Sequence, residues 1–471
     1  MLDNIKTIVL LMFENRSFDH MLGHLSYDKI NTKVNGLTSP LSQFVDQDGT
    51  ETHNPFRFKA DVTLATDIPH EMEFVKTQMD KSPSNGDFLM DGFVKAYRAF
   101  TGAPSTPKPD PMGFFRAAQI PITSFLASNY CVCDKWFASI PTSTQPNRTM
   151  AFCGDSAIDS TKLQLIPATG NIFDWLTNAG IDRWRVYHDG LSFFTLYNQL
   201  WHYVLGDHFK DYESLYSDFK TESDTTFPEL ILVEPSYQDS PHLGSDQPND
   251  NHPPLAVGFG EEFLRRTYEA VTCNPERWGN TLMIVYYDEH GGFYDHEPPP
   301  KIGYQVSGGS RTQFESLGVR IPAILISPWV EKNSVSSLLF DHTSVLQLLA
   351  EKFTRGNPYS NTVENRRNAG IQSISAALTA VSDPVAPNPP FAPIFVKSFL
   401  GDNVAIAPDG EMAKSFENAA LNMMAAEPDL TRQKYPELIQ WKDVVEKARI
   451  NLPTSVAPSP VLKSPKKKKG V

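Results

Sequence analysis

The sequence predicts a doubly wound α/β domain around a mostly parallel sheet. Short runs of β-branched and aliphatic residues recur at Thr7–Met12, Trp184–Tyr187, Leu230–Val233, Leu282–Tyr287 and Ile321–Ile326. Unbroken apolar runs of this kind suit strands covered on both faces. Helical patterns fall between them, as in Glu261–Val271, where Phe263, Thr267 and Ala270 stand three or four apart. Strand and helix in alternation are the pattern of a parallel α/β sheet.

The chain has 471 residues, 40% of them hydrophobic and 21% charged, the balance of a globular protein. A formal net charge of −13 argues against nucleic acid as a partner. It does not exclude a phosphate substrate, because a bound cation reverses the local field. Four cysteines are too few for a disulfide scaffold. Cys131 and Cys133 are spaced too closely for ordinary zinc ligands, so buried, inert thiols are expected. Neither a signal peptide nor a membrane-length apolar stretch is visible, so the expected location is cytoplasmic or at a membrane surface.

Taken in order, the elements place chemistry at strand ends. The first strand is followed by Glu14-Asn15, and the fourth by Asp288-Glu289-His290. Ligands of open parallel sheets bind just beyond those ends, so two distant segments point to one site. Thr38–Pro55 and Thr101–Pro111 read as surface loops or a cap over it, and Asp239–Pro254, with His242, Asp250 and His252, reads as a functional loop. Thr142–Arg148 reads as a polar segment with a Pro-fixed turn. Asp341 and His342 precede an apolar helix, Val345–Phe353, where Asp341 or Thr343 can serve as its cap. Asp383–Pro393 is a Pro-rich linker, and Leu438, Trp441, Val445 and Ala448 mark a helical C-terminal extension. The organisation expected is a catalytic domain over residues 1–383 and an extension over 384–471, ending in a basic tail at Lys463–Lys469 that suits an anionic lipid surface.

Glu14, Asn15, Asp288 and Glu289 are oxygen donors brought together by this reading. Each alone is an ordinary loop residue, but clustered carboxylates repel and need a cation. Oxygen-only ligation favours Ca²⁺, Mg²⁺ or Mn²⁺. A threonine hydroxyl beside such an ion loses its proton more readily, which makes Thr144 a candidate nucleophile. Arg148 can hold phosphate oxygens with two parallel hydrogen bonds. His70, His252, His290, His296 and His342 stand beside polar residues or prolines, and several together can bind a phosphoryl group and protonate a leaving alkoxide.

Four motifs together resemble the phosphoesterase family that includes non-specific phospholipase C and an acid phosphatase branch. They are Glu14-Asn-Arg-Ser-Phe-Asp-His20-Met-Leu-Gly23, Thr144-Gln-Pro-Asn-Arg148, Asp288-Glu-His-Gly-Gly-Phe-Tyr-Asp-His296 and Gly318-Val-Arg-Ile-Pro-Ala-Ile-Leu-Ile-Ser-Pro328. Fainter matches lie at Asp67–His70 with Met90–Phe93, at Asp250–Pro254 and at Phe340–Ser344. The resemblance covers residues 1 to about 355 and implies an alkaline-phosphatase-like three-layer α/β/α sandwich. It implies one divalent metal ion on Glu14, Asn15, Thr144, Asp288 and Glu289, with Thr144 forming a phosphothreonine intermediate. It also implies that His70, His252, His290 and His342 surround the phosphoryl group. A phospholipase C releasing diacylglycerol is the activity preferred. An acid phosphatase acting on phosphomonoesters is the alternative, and a non-catalytic protein binding phospholipid headgroups is the alternative of another class. The third motif departs from the plant enzymes at Glu297, where they carry Val.

Overall fold

The computed structural model describes residues 1–59, 64, 66–243, 247–308, 311–380, 385–392, 405–406 and 410–451. The basic tail and the expected boundary at residue 384 lie outside the described residues. Eight strands form the central sheet: β1 Thr7–Phe13, β2 Cys131–Cys133, β3 Trp184–His188, β4 Phe209–Asp211, β5 Leu230–Glu234, β6 Thr281–Tyr287, β7 Ala323–Ile326 and β8 Ser334–Ser336. Their spatial order is β8-β2-β7-β6-β1-β5-β3-β4. All but β7 run the same way; β7 is antiparallel to both β6 and β2.

All five apolar runs predicted as strands are strands, and the last corrects its expectation in two respects. It starts at Ala323, after Pro322, which has no N–H to give to a ladder. It also runs against its neighbours. The strands β2, β4 and β8 were not legible, because a segment of three residues is too short to display a period.

The sheet is covered on both faces. Helices α1 Pro121–Asn129, α2 Thr144–Cys153, α3 Leu215–Thr221, α4 Gly258–Thr272, α5 Thr343–Phe353 and α6 Asn361–Asn368 fall into two groups. In one, α4 touches α1 and α3; in the other, α5 touches α2 and α6. Alternate residues of a strand point to opposite faces. On β1, Phe13 meets Phe263 of α4 at 6.3 Å between ring centres. Leu10 and Met12 instead line a small cavity with Arg148 and Phe152 of α2. The expected three-layer α/β/α sandwich is therefore the observed one.

Beyond residue 410 come α7 Glu411–Ala426, the short helix Pro428–Lys434 and α8 Pro436–Asn451. Met412, Phe416, Ala419, Ala420 and Met423 repeat every three or four residues along α7, and their buried stripe joins the same core as the sheet. Of the four residues expected on one helical stripe, Leu438 and Trp441 are buried and Val445 is half-buried, while the side chain of Ala448 lies outside those described. Cys131, Cys133 and Cys153 are buried free thiols. Among the described residues no helix is long and apolar enough to cross a membrane.

Candidate active site

Strand register decides which groups meet. β1 and β6 lie side by side with Phe13 opposite Tyr287, so Glu14 and Asp288 leave the sheet together. Asn15 then enters the left-handed region at φ 59°, and its N–H donates to Asp288 Oδ1 at 3.0 Å. Glu289 N–H donates to the same oxygen at 2.7 Å. The chain after Glu289 has to pass this turn at close range. Gly291 permits it, since a Cβ there would stand 2.0 Å from the Asn15 carbonyl oxygen, and its φ of +61° disfavours any other residue.

The polar segment in which a Pro-fixed turn was expected is instead the start of α2. Pro146 fits because the first turn of a helix needs no N–H there. The polar side chains are tolerated because they bond inward. Asn147 Nδ2 donates to the carbonyls of Ile140 at 3.1 Å and Thr142 at 2.7 Å, bracing the turn that feeds the helix. Thr144, the first helical residue, is buried, and its Oγ1 donates to Asn15 Oδ1 at 3.3 Å.

The same amide reaches two histidines. Asn15 Nδ2 lies 2.9 Å from His252 Nε2 and 3.3 Å from His70 Nε2. Each ring is held from behind, His70 Nδ1 by Ile68 O at 2.8 Å and His252 Nδ1 by Pro253 O. Burial works against charge on both rings. Around His252, Asp67, Asp239, Glu14 and Asp250 outweigh it and push the imidazole up to about 10. Around His70, Glu289, Asp67 and Glu71 do the same, up to about 9. As neutral rings they accept from the Asn15 amide nitrogen.

Arg148 does not present its fork to a ligand. Its Nε donates to Asp288 Oδ2 at 3.2 Å and its Nη1 to the Tyr237 hydroxyl at 3.0 Å. Nη2 lies 3.0 Å from Glu14 Oε1 without the alignment of a hydrogen bond. The rings of Phe193 and Tyr237 hold the guanidinium at 4.7 and 5.0 Å. His290 and His342 are likewise committed to protein. His290 places Nδ1 3.1 Å from Glu289 Oε2 and Nε2 2.8 Å from Gln78 Oε1. His342 is fully buried, with Nε2 3.0 Å from the Tyr287 carbonyl and Nδ1 3.0 Å from Ser139 Oγ. Burial lowers its imidazole to about 4, so it is neutral and braces the end of β6. His296 is bonded elsewhere, to Asp19 at 2.6 Å and Asn35 at 3.1 Å. Asp341, two residues before α5, accepts from Thr343 N at 2.8 Å, and His342 stands at the N-cap position.

The donor set has the oxygen chemistry of a divalent-cation site. Glu14, Asp288 and Glu289 are buried, yet a single guanidinium serves the first two. Burial pushes the Glu14 carboxyl well above its usual range, with Arg148 opposing, and Asp288 is raised for the same reason. Glu289 is held below its usual range: burial opposes its charge, but His70 and His290 overcome it. Its Oε1 is buried without a hydrogen-bond partner. Glu14, Asn15, Thr144, Asp288 and Glu289 are the residues expected to hold such an ion, but among the described residues the three carboxylates are not one of the groups whose ligand atoms all lie within 4.8 Å of one another. Beside them, Asp67, His70 and His252 each bring a ligand atom within 4.8 Å of one another.

Sequence reasoning missed several contributors. Asp67 lies three positions before His70 in a motif already noticed, so proximity could have flagged it. Glu71 and Ser143, next to His70 and Thr144, could have been flagged the same way, and Glu71 accepts from Ser143 Oγ at 2.7 Å across separate segments; Gln78 and Tyr237 carry no such signal.

Residues 5–354 match the model of the phosphoesterase family. The chain belongs to this family. It is a phosphoesterase, a hydrolase acting on phosphoric ester bonds. Non-specific phospholipase C6 of Arabidopsis thaliana is 32% identical over 386 residues, 77% of this chain and 70% of the relative. Hemolytic phospholipase C of Pseudomonas aeruginosa is 29% identical over 445 residues, 81% of this chain and 56% of the relative. Among solved structures, murine ectonucleotide pyrophosphatase/phosphodiesterase 5 is similar with a TM-score of 0.33 and 11% identity, covering 55% of this chain and 95% of that one.

Proposed function

We propose that this phosphoesterase is a metal-dependent phospholipase C, cleaving phospholipid into diacylglycerol and a phosphorylated headgroup through a phosphothreonine on Thr144. The single observation that carries this reading is the Asn15 amide, which joins the Thr144 hydroxyl to the rings of His70 and His252 at the start of a buried helix. A helix N-terminus favours a phosphate group, and Thr144 stands at one. The names of the relatives support the choice of phospholipid over a phosphomonoester.

The chain's residues divide the work. Thr144 Oγ1 gives up its proton to solvent and attacks phosphorus while the bond to the glycerol oxygen breaks. His70 or His252 donates the proton that the departing oxygen needs and holds phosphoryl oxygens through Nε2. Arg148 keeps Glu14 and Asp288 in place, and His290 and His342 fix the Asp288–Glu289 tip from behind. Glu14, Asn15, Thr144, Asp288 and Glu289 would hold a divalent cation, which when bound would supply Lewis-acid stabilisation of negative charge on the threonine and phosphoryl oxygens. Water then hydrolyses the phosphothreonine, and the Thr144 hydroxyl is restored.

The deciding experiment compares phosphatidylcholine with an aryl phosphomonoester, with and without chelator, for wild type and Thr144→Ala. Chelator-sensitive release of diacylglycerol is expected, falling by at least about 10³-fold in the variant, together with phosphate trapped on residue 144 in acid-quenched wild type. Hydrolysis of the monoester alone would assign the acid phosphatase branch. Full turnover by Thr144→Ala would remove the nucleophile.

A further inference from the structure

The chemistry above leaves the C-terminal extension unused, yet two consecutive residues of α7 reach the groups around Thr144. Ser415 is fully buried. Its oxygen accepts from Gln145 Nε2 at 3.2 Å and from Gln164 N at 3.3 Å, and its hydroxyl lies 2.8 Å from the carbonyl of Lys162. Gln145 directly follows Thr144 and is buried too. Its side-chain oxygen accepts from Lys162 N at 3.3 Å and Gln164 Nε2 at 3.0 Å, and the sulfur of Met412 lies 3.8 Å from its nitrogen. The nucleophile helix is thus stitched to α7 at its first turn.

Phe416 makes the second connection. Its ring stacks on Tyr237 at 5.7 Å between centres and meets Phe193 edge-on at 6.0 Å. Those are the two rings that carry the Arg148 guanidinium. Both are anchored on Glu234, which accepts from Phe193 N at 3.0 Å and from the Tyr237 hydroxyl at 3.2 Å. Of this aromatic box, only Phe416 comes from the extension.

We propose that Ser415 and Phe416 are positioning residues for the hydrolytic centre. Ser415 sets the start of α2 through Gln145, and Phe416 sets Arg148 through Tyr237 and Phe193. The extension is then a working part of the site. The inference rests on the assignment of Thr144 as nucleophile. Its physical ground is that a displacement of about 1 Å at a reacting group costs on the order of 10²-fold in rate.

The test uses the full chain and phosphatidylcholine in mixed micelles, with Phe416→Leu, Ser415→Ala and Ser415→Thr. The reference lesion is Met423→Ala, two turns further along α7 and outside the contacts to Gln145 and Arg148. For Phe416→Leu and Ser415→Ala, kcat falls about fivefold or more while KM stays within about twofold, and Ser415→Thr recovers most of the loss. Amide exchange over residues 144–148 rises in the same two variants. Met423→Ala lowers the melting temperature at least as much but leaves kcat and that exchange at wild-type values. If Phe416→Leu does not fold, the smaller Ser415→Ala decides. Wild-type kcat in the folded variants, or an equal loss in Met423→Ala, overturns the proposal. A wild-type chain that releases no diacylglycerol would instead overturn the phospholipase reading, a separable result.

Discussion

At Arg148 one guanidinium meets Glu14, Asp288 and Tyr237 while two aromatic rings hold its plane, all out of water. A buried ion pair adds little over an apolar replacement, but removing one partner strands the other's charge. Arg148→Ala should therefore lower stability by about 3–5 kcal/mol, read as a lower urea midpoint at neutral pH. Arg148→Lys should recover only part of it, because an ammonium cannot reproduce the planar fork that reaches three partners. Residue types made Arg148 a natural phosphate clamp in the sequence. Its Nε and Nη1 donate to Asp288 and Tyr237 instead, its Nη2 faces Glu14 without a hydrogen bond, and the position of Tyr237, 89 residues away, is invisible to local spacing.

Two strand tips and the turn between them form the element on which the site depends. The left-handed turn at Asn15 and the passage of Gly291 past its carbonyl are one packing solution. Gly291→Ala places a methyl group inside that carbonyl's radius and costs roughly 1–2 kcal/mol from the backbone conformation alone. The larger effect is expected on hydrolysis, because Asn15 must shift, and with it the link to Thr144, His70 and His252. Turnover should fall by about 10²-fold or more while circular dichroism retains the α/β spectrum, and near-wild-type turnover would show the turn to be slack. In the sequence Gly291 is visible only as part of the Asp288–His296 motif. That its neighbour is the Asn15 backbone follows only from the pairing of β1 with β6.

For the whole molecule, buried titratable groups set how stability responds to acid. Burial lowers His24 and His188 to about 4, and both are closed into the interior. Between that value and the unfolded 6.5, the unfolded chain binds a proton that the folded chain refuses. Each therefore stabilises the fold above pH 6.5 and loses its contribution as pH falls toward 4. Asp46 acts in the opposite sense, since burial raises it to about 7 and its contribution is lost as pH rises through that range. The difference between wild type and His24→Gln isolates one group: unfolding free energy of the variant should have a slope shallower by about 1.4 kcal/mol per pH unit over that interval. Parallel slopes would mean that His24 takes up its proton in the folded state.

By itself the sequence determined the alternation of strand and helix, all five long strands, and which residues stand at the tips of the first and fourth of them. Those properties are local, written in apolar runs and in the residue that follows each run. The motifs also brought Thr144, His70 and His252 into view as chemistry. Only the tertiary structure decided who partners whom. It reversed β7, turned a polar segment with a Pro-fixed turn into the start of a buried helix, gave both nitrogens of His290 and His342 to the protein, and set α7 against the helix that begins at Thr144. The physical reason is that hydrogen-bond donors and acceptors are consumed by whatever packs beside them, and packing joins segments hundreds of residues apart.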